Sequence, residues 1–363
     1  MTKILLFGDF KAPDISRFHP SGEIVEMIKK ADVTVLNFEA PIEGIGEGVS
    51  KSGPSICQDS KAPKVLMEMG VDVVLLANNH MMDFGEEGCK ATMDAFKDIV
   101  TVGAGTSEEA YSVKVVEKDG EKIGFLALCQ YEFGILETKQ ENGCGVAWVL
   151  SLDVEDIIKK AHQEVDYLIV CPHAGVEHTK TPLPEWRRLY KKYIDWGADA
   201  VVASHPHRVQ GCEYYHDKPI FYSLGNFFWG TVYDYPGWTE GLAVEISLSD
   251  GVEIKTYPTS FDSDGNLKLS SKQDILQSLN NLLSNEKEYM DYIDGLARSH
   301  WKGFMYGLLR GSSGVSLKVG FKFFLRLFVH MLLGHADNWY TLNIVRNESH
   351  RWLMQRSLML KSK

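Results

Sequence analysis

Short apolar runs closed by turn residues alternate with helical patterns through the first 210 residues. The runs at 3–8, 32–37, 72–77, 123–129, 166–171 and 199–203 predict strands. Between them, apolar positions at helical spacing predict helices over 21–30, 60–69, 85–97, 153–163 and 184–196, with Ser21 placed to cap the first. Strand and helix in alternation predict an α/β fold with largely parallel strands, because a helix is the usual crossover between parallel neighbours. Two stretches break the alternation. Residues 113–117 and 123–128 flank Asp119-Gly120, and residues 242–248 and 252–257 flank Asp250-Gly251. Asp-Gly supplies the positive φ that a tight turn needs, so both predict hairpins.

The pattern changes near residue 260. The polar stretch Phe261-Asp262-Ser263-Asp264-Gly265-Asn266 is followed by helical patterning, which predicts a domain over 1–259 and a helical extension over 260–363. Residues 315–333 are the most apolar part of the chain, yet carry too many charges for a spanning helix. Lys318, Lys322, Arg326 and His330 recur every four residues and so form one narrow stripe on a helix. Two readings fit such a stripe: a helix docked on a core with its charges in water, or one lying on an anionic membrane surface.

Charge sharpens this division. The chain has 38 Lys+Arg against 49 Asp+Glu, a formal net charge of −11, but residues 298–363 hold eleven Lys/Arg and two Asp/Glu. The acidic remainder argues against nucleic acid as a partner, since phosphate backbones are bound by a surplus of cations. The basic end predicts contact with an inner membrane surface or with partner proteins. The six cysteines form no CxxC pair, and Met1-Thr2-Lys3 leads straight into a short strand. Both features predict a reduced, cytoplasmic protein, peripheral at the membrane if its basic helix docks there.

Residues with metal-ligand chemistry stand at the carboxyl ends of the predicted strands, where open α/β sheets form their crevices. Asp9 ends the first, Asn37 and Glu39 the second, and Asn78-Asn79-His80 with Asp83 follow the third. His173 and then His205-Pro206-His207 follow two later strands. Each has an ordinary structural reading taken singly, as a turn residue, a helix cap or a rigid turn. Together they supply carboxylate, amide and imidazole donors, the set a divalent ion of borderline hardness takes. Two ions about 3.5–4 Å apart need a bridging ligand, normally a carboxylate, and an imidazole outside the metal shell could protonate a leaving group.

Six stretches carry a family resemblance. They are Phe7-Gly8-Asp9, Leu36-Asn37-Phe38-Glu39-Ala40-Pro41-Ile42, Ala77-Asn78-Asn79-His80-Met81-Met82-Asp83-Phe84-Gly85, His173-Ala174-Gly175-Val176-Glu177, Ser204-His205-Pro206-His207 and Tyr222-Ser223-Leu224-Gly225-Asn226-Phe227. Through residue 258 the chain resembles the bacterial capsule-synthesis family of the CapA type, associated with poly-γ-glutamate capsules and similar to calcineurin-like metallophosphoesterases. The resemblance implies a four-layer α-β-β-α sandwich with the site along one edge. It implies Asp9 and His207 on a first ion, Glu39 as bridge, Asn79, His173 and His205 on a second, and His80, beside Asp83, as the catalytic imidazole. The ions would be one or two divalent cations, Mn, Zn, Fe or Mg.

One departure stands out. Calcineurin-like enzymes usually offer Asp-x-His in the first motif, whereas this chain reads Asp9-Phe10-Lys11. A ligand is thereby lost and an ammonium placed near a cation site, leaving one-ion and two-ion centres both open. The expected activity is metal-dependent hydrolysis of a phosphorylated or polymer-related substrate, as a phosphoesterase in capsule or surface-polymer biosynthesis, with ion-activated water as nucleophile. The alternatives are an amide or γ-glutamyl hydrolase and a non-catalytic scaffold of a capsule synthase complex at the membrane, and the resemblance makes capsule-synthesis proteins the partners expected at the basic C-terminal helix.

Overall fold

Strand Thr2–Lys11 organises the architecture, pairing in parallel with Val33–Phe38 on one side and antiparallel with Glu240–Leu248 on the other. Near its carboxyl end it also takes the short strand Asn226–Trp229 in parallel. The computed structural model describes residues 2–248, 252–272, 274–313, 342–343 and 345–361. Among these, a nine-stranded mixed sheet runs from His19–Pro20 at one edge to Val100–Val102 at the other. A six-stranded sheet orders Cys212–Tyr215, Lys218–Phe221, Ala200–Val202, Tyr167–His173, Glu121–Cys129 and Lys114–Lys118. A three-stranded ribbon completes the set.

The period-two alternation of strands explains how the large sheets pack. Ile123, Phe125, Ala127 and Cys129 join one apolar cluster with Val35, Val73 and Phe7 of the nine-stranded sheet, as do Ile169, Cys171 and Val202. Their neighbours Leu126, Leu168, Val170 and Val201 are equally buried but outside that cluster. This second face lies on the helix side of the six-stranded sheet, where Pro184–Trp196 packs on Ala200–Val202. On the nine-stranded sheet, helix Gly22–Lys30 buries Ile24 and Ile28 in the shared cluster. Ser21 caps it by accepting from the Ile24 N–H at 3.4 Å. The result is an α-β-β-α sandwich, with the core between the sheets.

The expected strands and helices all occur with small shifts of their ends. Both hairpins form, Lys114–Lys118 with Glu121–Cys129 and Glu240–Leu248 with Val252–Phe261, although Asp250-Gly251 lies outside the described residues. The expected boundary at 259/260 falls inside strand Val252–Phe261. Strand Asn266–Leu269 and helix Ile275–Ser284 then follow in the same unit, which comprises residues 1–49 and 55–284. The sequence change at 260 therefore marks a turn between paired strands. Asp262 binds Asn266 there at 2.9 Å.

The other unit comprises residues 50–54 and 285–363. Within it, helices Glu286–Ser313 and Glu348–Lys361 are joined by Arg356 to Asp294 at 2.6 Å and by the Ser357 hydroxyl to the Ala297 carbonyl at 2.6 Å. The striped segment 315–333 lies outside the described residues. No described helix is long and apolar enough to cross a membrane. None of the six cysteines, all of them among the described residues, forms a disulfide.

Candidate metal centre

Two close approaches of backbone assemble the site, and glycines make both possible. A Cβ on Gly8 would sit 2.0 Å from the Gly225 carbonyl oxygen, which accepts from the Asp9 N–H at 3.0 Å. A side chain on Gly175 (φ +150°) would meet the Pro206 ring at 2.7 Å. The first contact sets Asp9 beside Asn226, and the second sets the loop after His173 against the His205–His207 turn. That turn is strained. His205 has φ +100° and His207 φ +52°, a region that β-carbon-bearing residues adopt at a cost of about 1–3 kcal/mol and that clusters at functional sites.

The converging side chains are buried. Asp9 and Glu39 are fully inaccessible, and His173, His205 and His207 nearly so. Asp9, Glu39 and His207 form one group of close ligand atoms; Glu39, His173 and His205 form another, with Glu39 common to both. Around the second group, His173 Nε2 lies 3.0 Å from Asn79 Oδ1, 3.2 Å from His205 Nδ1 and 3.6 Å from Glu39 Oε1. In the first, His207 Nδ1 lies 3.4 Å from Asp9 Oδ2, and His207 Nε2 lies 3.6 Å from Glu39 Oε1.

These residues fit a divalent ion. Both carboxylate oxygens of Glu39 are buried and accept no hydrogen bond. An unpaired buried carboxylate costs several kcal/mol, so such a pair of oxygens calls for a cation. The spacing agrees as well, since tetrahedral ligands with bonds of about 2.0–2.1 Å stand roughly 3.3–3.4 Å apart. Carboxylate, amide oxygen and imidazole together suit Zn, Mn or Fe.

The surrounding shell fixes donor directions. Asn37 Nδ2 donates to Asp9 Oδ1 at 2.7 Å and lies 3.3 Å from His173 Nδ1. Asn226 Oδ1 accepts from His207 Nδ1 at 2.9 Å, while its amide nitrogen donates to the Trp238 carbonyl at 2.9 Å. Gln130 Nε2 lies 2.8 Å from His205 Nε2, and Gln130 Oε1 accepts from the Gly175 N–H at 3.1 Å. Gln130 is absent from the sequence-derived set, yet it follows the strand ending at Cys129, which pairs with His173. The rule that selected the other residues, a polar side chain just past an apolar strand, points to it. Trp229 and Trp238 complete the surroundings, with ring centroids 4.6 and 5.1 Å from that of His207.

His80 and Asp83 form a separate couple, His80 Nδ1 lying 2.7 Å from Asp83 Oδ2. Asp83 is fully buried and also accepts from the Ile56 N–H at 2.8 Å, instead of capping the helix that begins at Gly85. Asn78 shapes this loop by donating to the Phe38 carbonyl at 2.9 Å and accepting from the His80 N–H at 3.3 Å.

Lys11 occupies the place where Asp-x-His would supply an imidazole. Its side chain is largely buried, with Nζ 5.7 Å from the Trp229 ring centroid. Burial draws its ammonium below the ordinary lysine value, while Cys57 and Glu39 pull it back up.

A family profile described as "Bacterial capsule synthesis protein PGA_cap" matches residues 8–231. The chain is 32% identical over 240 residues to the capsule biosynthesis protein CapA of Bacillus anthracis, covering 61% of this chain and 56% of that protein. It is 33% identical over 227 residues to the PGA biosynthesis protein CapA of Bacillus subtilis (strain 168), covering 60% and 57%. The chain thus spans little more than half the length of these two relatives. Among solved structures, the calcineurin-like phosphoesterase YfkN from Bacillus subtilis aligns over 80% of this chain and 98% of that one, at 14% identity and a TM-score of 0.41. The profile covers well over half of the sequence and every loop described above that carries a candidate ligand, so the chain belongs to the bacterial capsule synthesis protein family.

Proposed function

We propose that the protein is a metal-dependent phosphoesterase acting in the biosynthesis of a capsule or other surface polymer. The observation that carries the hydrolytic reading is Glu39, whose unbonded oxygens are shared between two groups of buried ligands. Asp9, Glu39 and His207 would hold one ion, and Glu39, Asn79, His173 and His205 the other. Bound there, divalent ions would supply Lewis acidity toward a phosphoryl oxygen and activation of the attacking water.

The chain's own groups supply the rest. Asp83 holds Nδ1 of His80, so Nε2 is the atom that exchanges a proton with substrate. As water oxygen bonds to phosphorus, the ester P–O bond breaks, and the departing oxygen takes its proton from His80. Proton transfer of this kind contributes typically 10²–10⁴-fold to rate. Asn226, Gln130 and Asn37 hold the imidazoles and Asp9 in place, so little reorganisation accompanies the step. The capsule assignment rests on family membership and on the relatives' names, with the basic C-terminal region as the part that would meet membrane or partner proteins.

The test is to strip the protein with chelator, reload it with Mn²⁺ or Zn²⁺, count bound ions and measure hydrolysis of bis-p-nitrophenyl phosphate. Bound ions with metal-dependent turnover are expected. Absence of both binding and turnover overturns the reading, and cleavage of γ-glutamyl amides alone would move the chemistry to an acyl centre.

A further inference from the structure

Next to the metal centre, the chain exposes aromatic surface that its core does not use. Val232, Tyr233 and Tyr235 are 42%, 46% and 48% exposed, within one loop that leaves strand Asn226–Trp229. Tyr235 lies flat on His178, with centroids 3.8 Å apart and planes 11° from parallel. The centroid of His178 is in turn 6.5 Å from that of His207. Tyr235 therefore stands two ring contacts from a candidate metal ligand.

The platform is braced on both sides. His178 is held with φ +62°, its N–H donates to the Pro206 carbonyl at 2.8 Å, and its own carbonyl accepts from Arg208 at 3.4 Å. The loop is closed on itself, because the Trp238 indole donates to the Thr231 carbonyl at 3.0 Å and the Trp238 N–H to the Tyr235 carbonyl at 3.1 Å. The Gly230 N–H donates to the Lys11 carbonyl at 2.8 Å, anchoring the loop to the first strand. An aromatic ring held half in water beside a reaction site offers a flat apolar face on which a ring of the ligand can stack. Tyr233 and Tyr235 are 6.3 Å apart and tilted by 52°, so they form no parallel slot, and one ring stacked on one face is what the geometry accepts.

We propose that the exposed face of Tyr235 is a specificity-determining platform that stacks on a ring carried by the substrate's leaving group. This inference rests on the phosphoesterase reading. The shared ligand chemistry is a phosphate ester of a ring-bearing alcohol, and the ring could be a nucleobase or a sugar.

The experiment compares uridine 5′-monophosphate, glucose 1-phosphate and methyl phosphate as substrates of the metal-loaded full chain. The wild type is expected to prefer at least one ring-bearing ester to methyl phosphate by about tenfold in kcat/KM, chiefly through KM. Which ester is favoured identifies the ring. Tyr235→Ala should collapse the ratio to near one, and Tyr235→Phe should restore it. A ratio near one in the wild type, or an unchanged ratio in Tyr235→Ala, overturns the proposal. A second readout separates this from failure of the hydrolase reading: quenching of the protein's intrinsic tryptophan fluorescence on binding uridine or methyl glucoside. Quenching lost in Tyr235→Ala without turnover of any ester would keep the platform and remove the phosphoesterase. No quenching and no ring preference would remove the platform.

Discussion

Asn226 Oδ1 accepts from Nδ1 of His207 at 2.9 Å, which fixes one imidazole tautomer at the candidate metal centre. With its proton on Nδ1, His207 presents the lone pair of Nε2 toward Glu39. Groups that orient a ligating histidine in this way are worth about 10–100-fold in metal affinity. Asn226→Ala should therefore weaken metal binding by that factor while leaving the fold intact, as read by a competition titration with a chromophoric chelator. Equal affinity in mutant and wild type would show that His207 needs no such support.

Glu39 should control stability through the ion. A cation at 100 times its dissociation constant stabilises the folded state by about 2.7 kcal/mol. For the unit of residues 1–49 and 55–284 that corresponds to about 5 °C in melting temperature. Chelated wild-type protein should gain that much on adding Mn²⁺ or Zn²⁺, and Glu39→Gln should gain little, since its amide cannot balance two cations. A full shift in Glu39→Gln, measured by calorimetry, would exclude a bridging role.

Protons and ions should compete for the same pocket. Burial disfavours charge on His207, but the Glu39 and Asp9 carboxylates prevail and lift its imidazole from 6.5 to about 10. Because the folded value exceeds the unfolded one, the ion-free protein holds this stabilisation in full below pH 6.5 and loses it as pH rises toward 10. Asp9 works in the opposite sense. Burial would raise its carboxyl, but His207, His173 and Asn37 lower it below 3.8, so its contribution exists above that pH and is lost as pH falls through the lowered value. Urea unfolding of chelated protein should show stability declining between pH 6.5 and 10, and metal affinity rising across the same window. A metal affinity independent of pH would mean that no proton is displaced.

The candidate ligand positions that the structure brings together were legible in the sequence because strand ends announce themselves: Asp9, Glu39, Asn79, His173, His205 and His207 each follow an apolar run. What was hidden depends on pairings between distant segments. Gln130 matters because residues 121–129 lie in register beside residues 167–173, and Asn226 matters because Gly8 and Gly225 touch. The strand Asn226–Trp229 is four residues long and shows no alternation to detect. Tyr235 gave no sign at all, since its partner His178 is 57 positions away. The boundary near 260 misled for a related reason: a polar turn inside a sheet and a polar linker have the same composition.

His80 and Asp83 should separate chemistry from binding. His80→Ala is expected to keep its metal and to lose about 10²–10⁴-fold in kcat on an alkyl ester, whose leaving oxygen needs a proton. The loss should shrink for a p-nitrophenyl ester, whose leaving group departs as a stable anion. Asp83→Asn should follow the same pattern, because it disturbs the tautomer of His80. A loss that is equal for both leaving groups would mean that His80 donates no proton.

Lys11 should weaken the hold on an ion bound by Asp9, Glu39 and His207. Its ammonium is largely buried, two residues from Asp9, and interacts with Glu39. A positive charge placed so close raises the energy of a cation held by Asp9, Glu39 and His207, and the low local dielectric keeps that repulsion unscreened. Lys11→Met preserves the length and packing of the side chain against Trp229 while removing the charge. It should tighten binding of the weaker ion by about tenfold, equivalent to about 1.4 kcal/mol, and raise the number of ions retained after gel filtration. Turnover reports the other side of the balance: if Lys11 also holds a phosphoryl oxygen, Lys11→Met will carry more metal yet show a higher KM. Unchanged affinity together with unchanged KM would assign the lysine to packing against Trp229 alone.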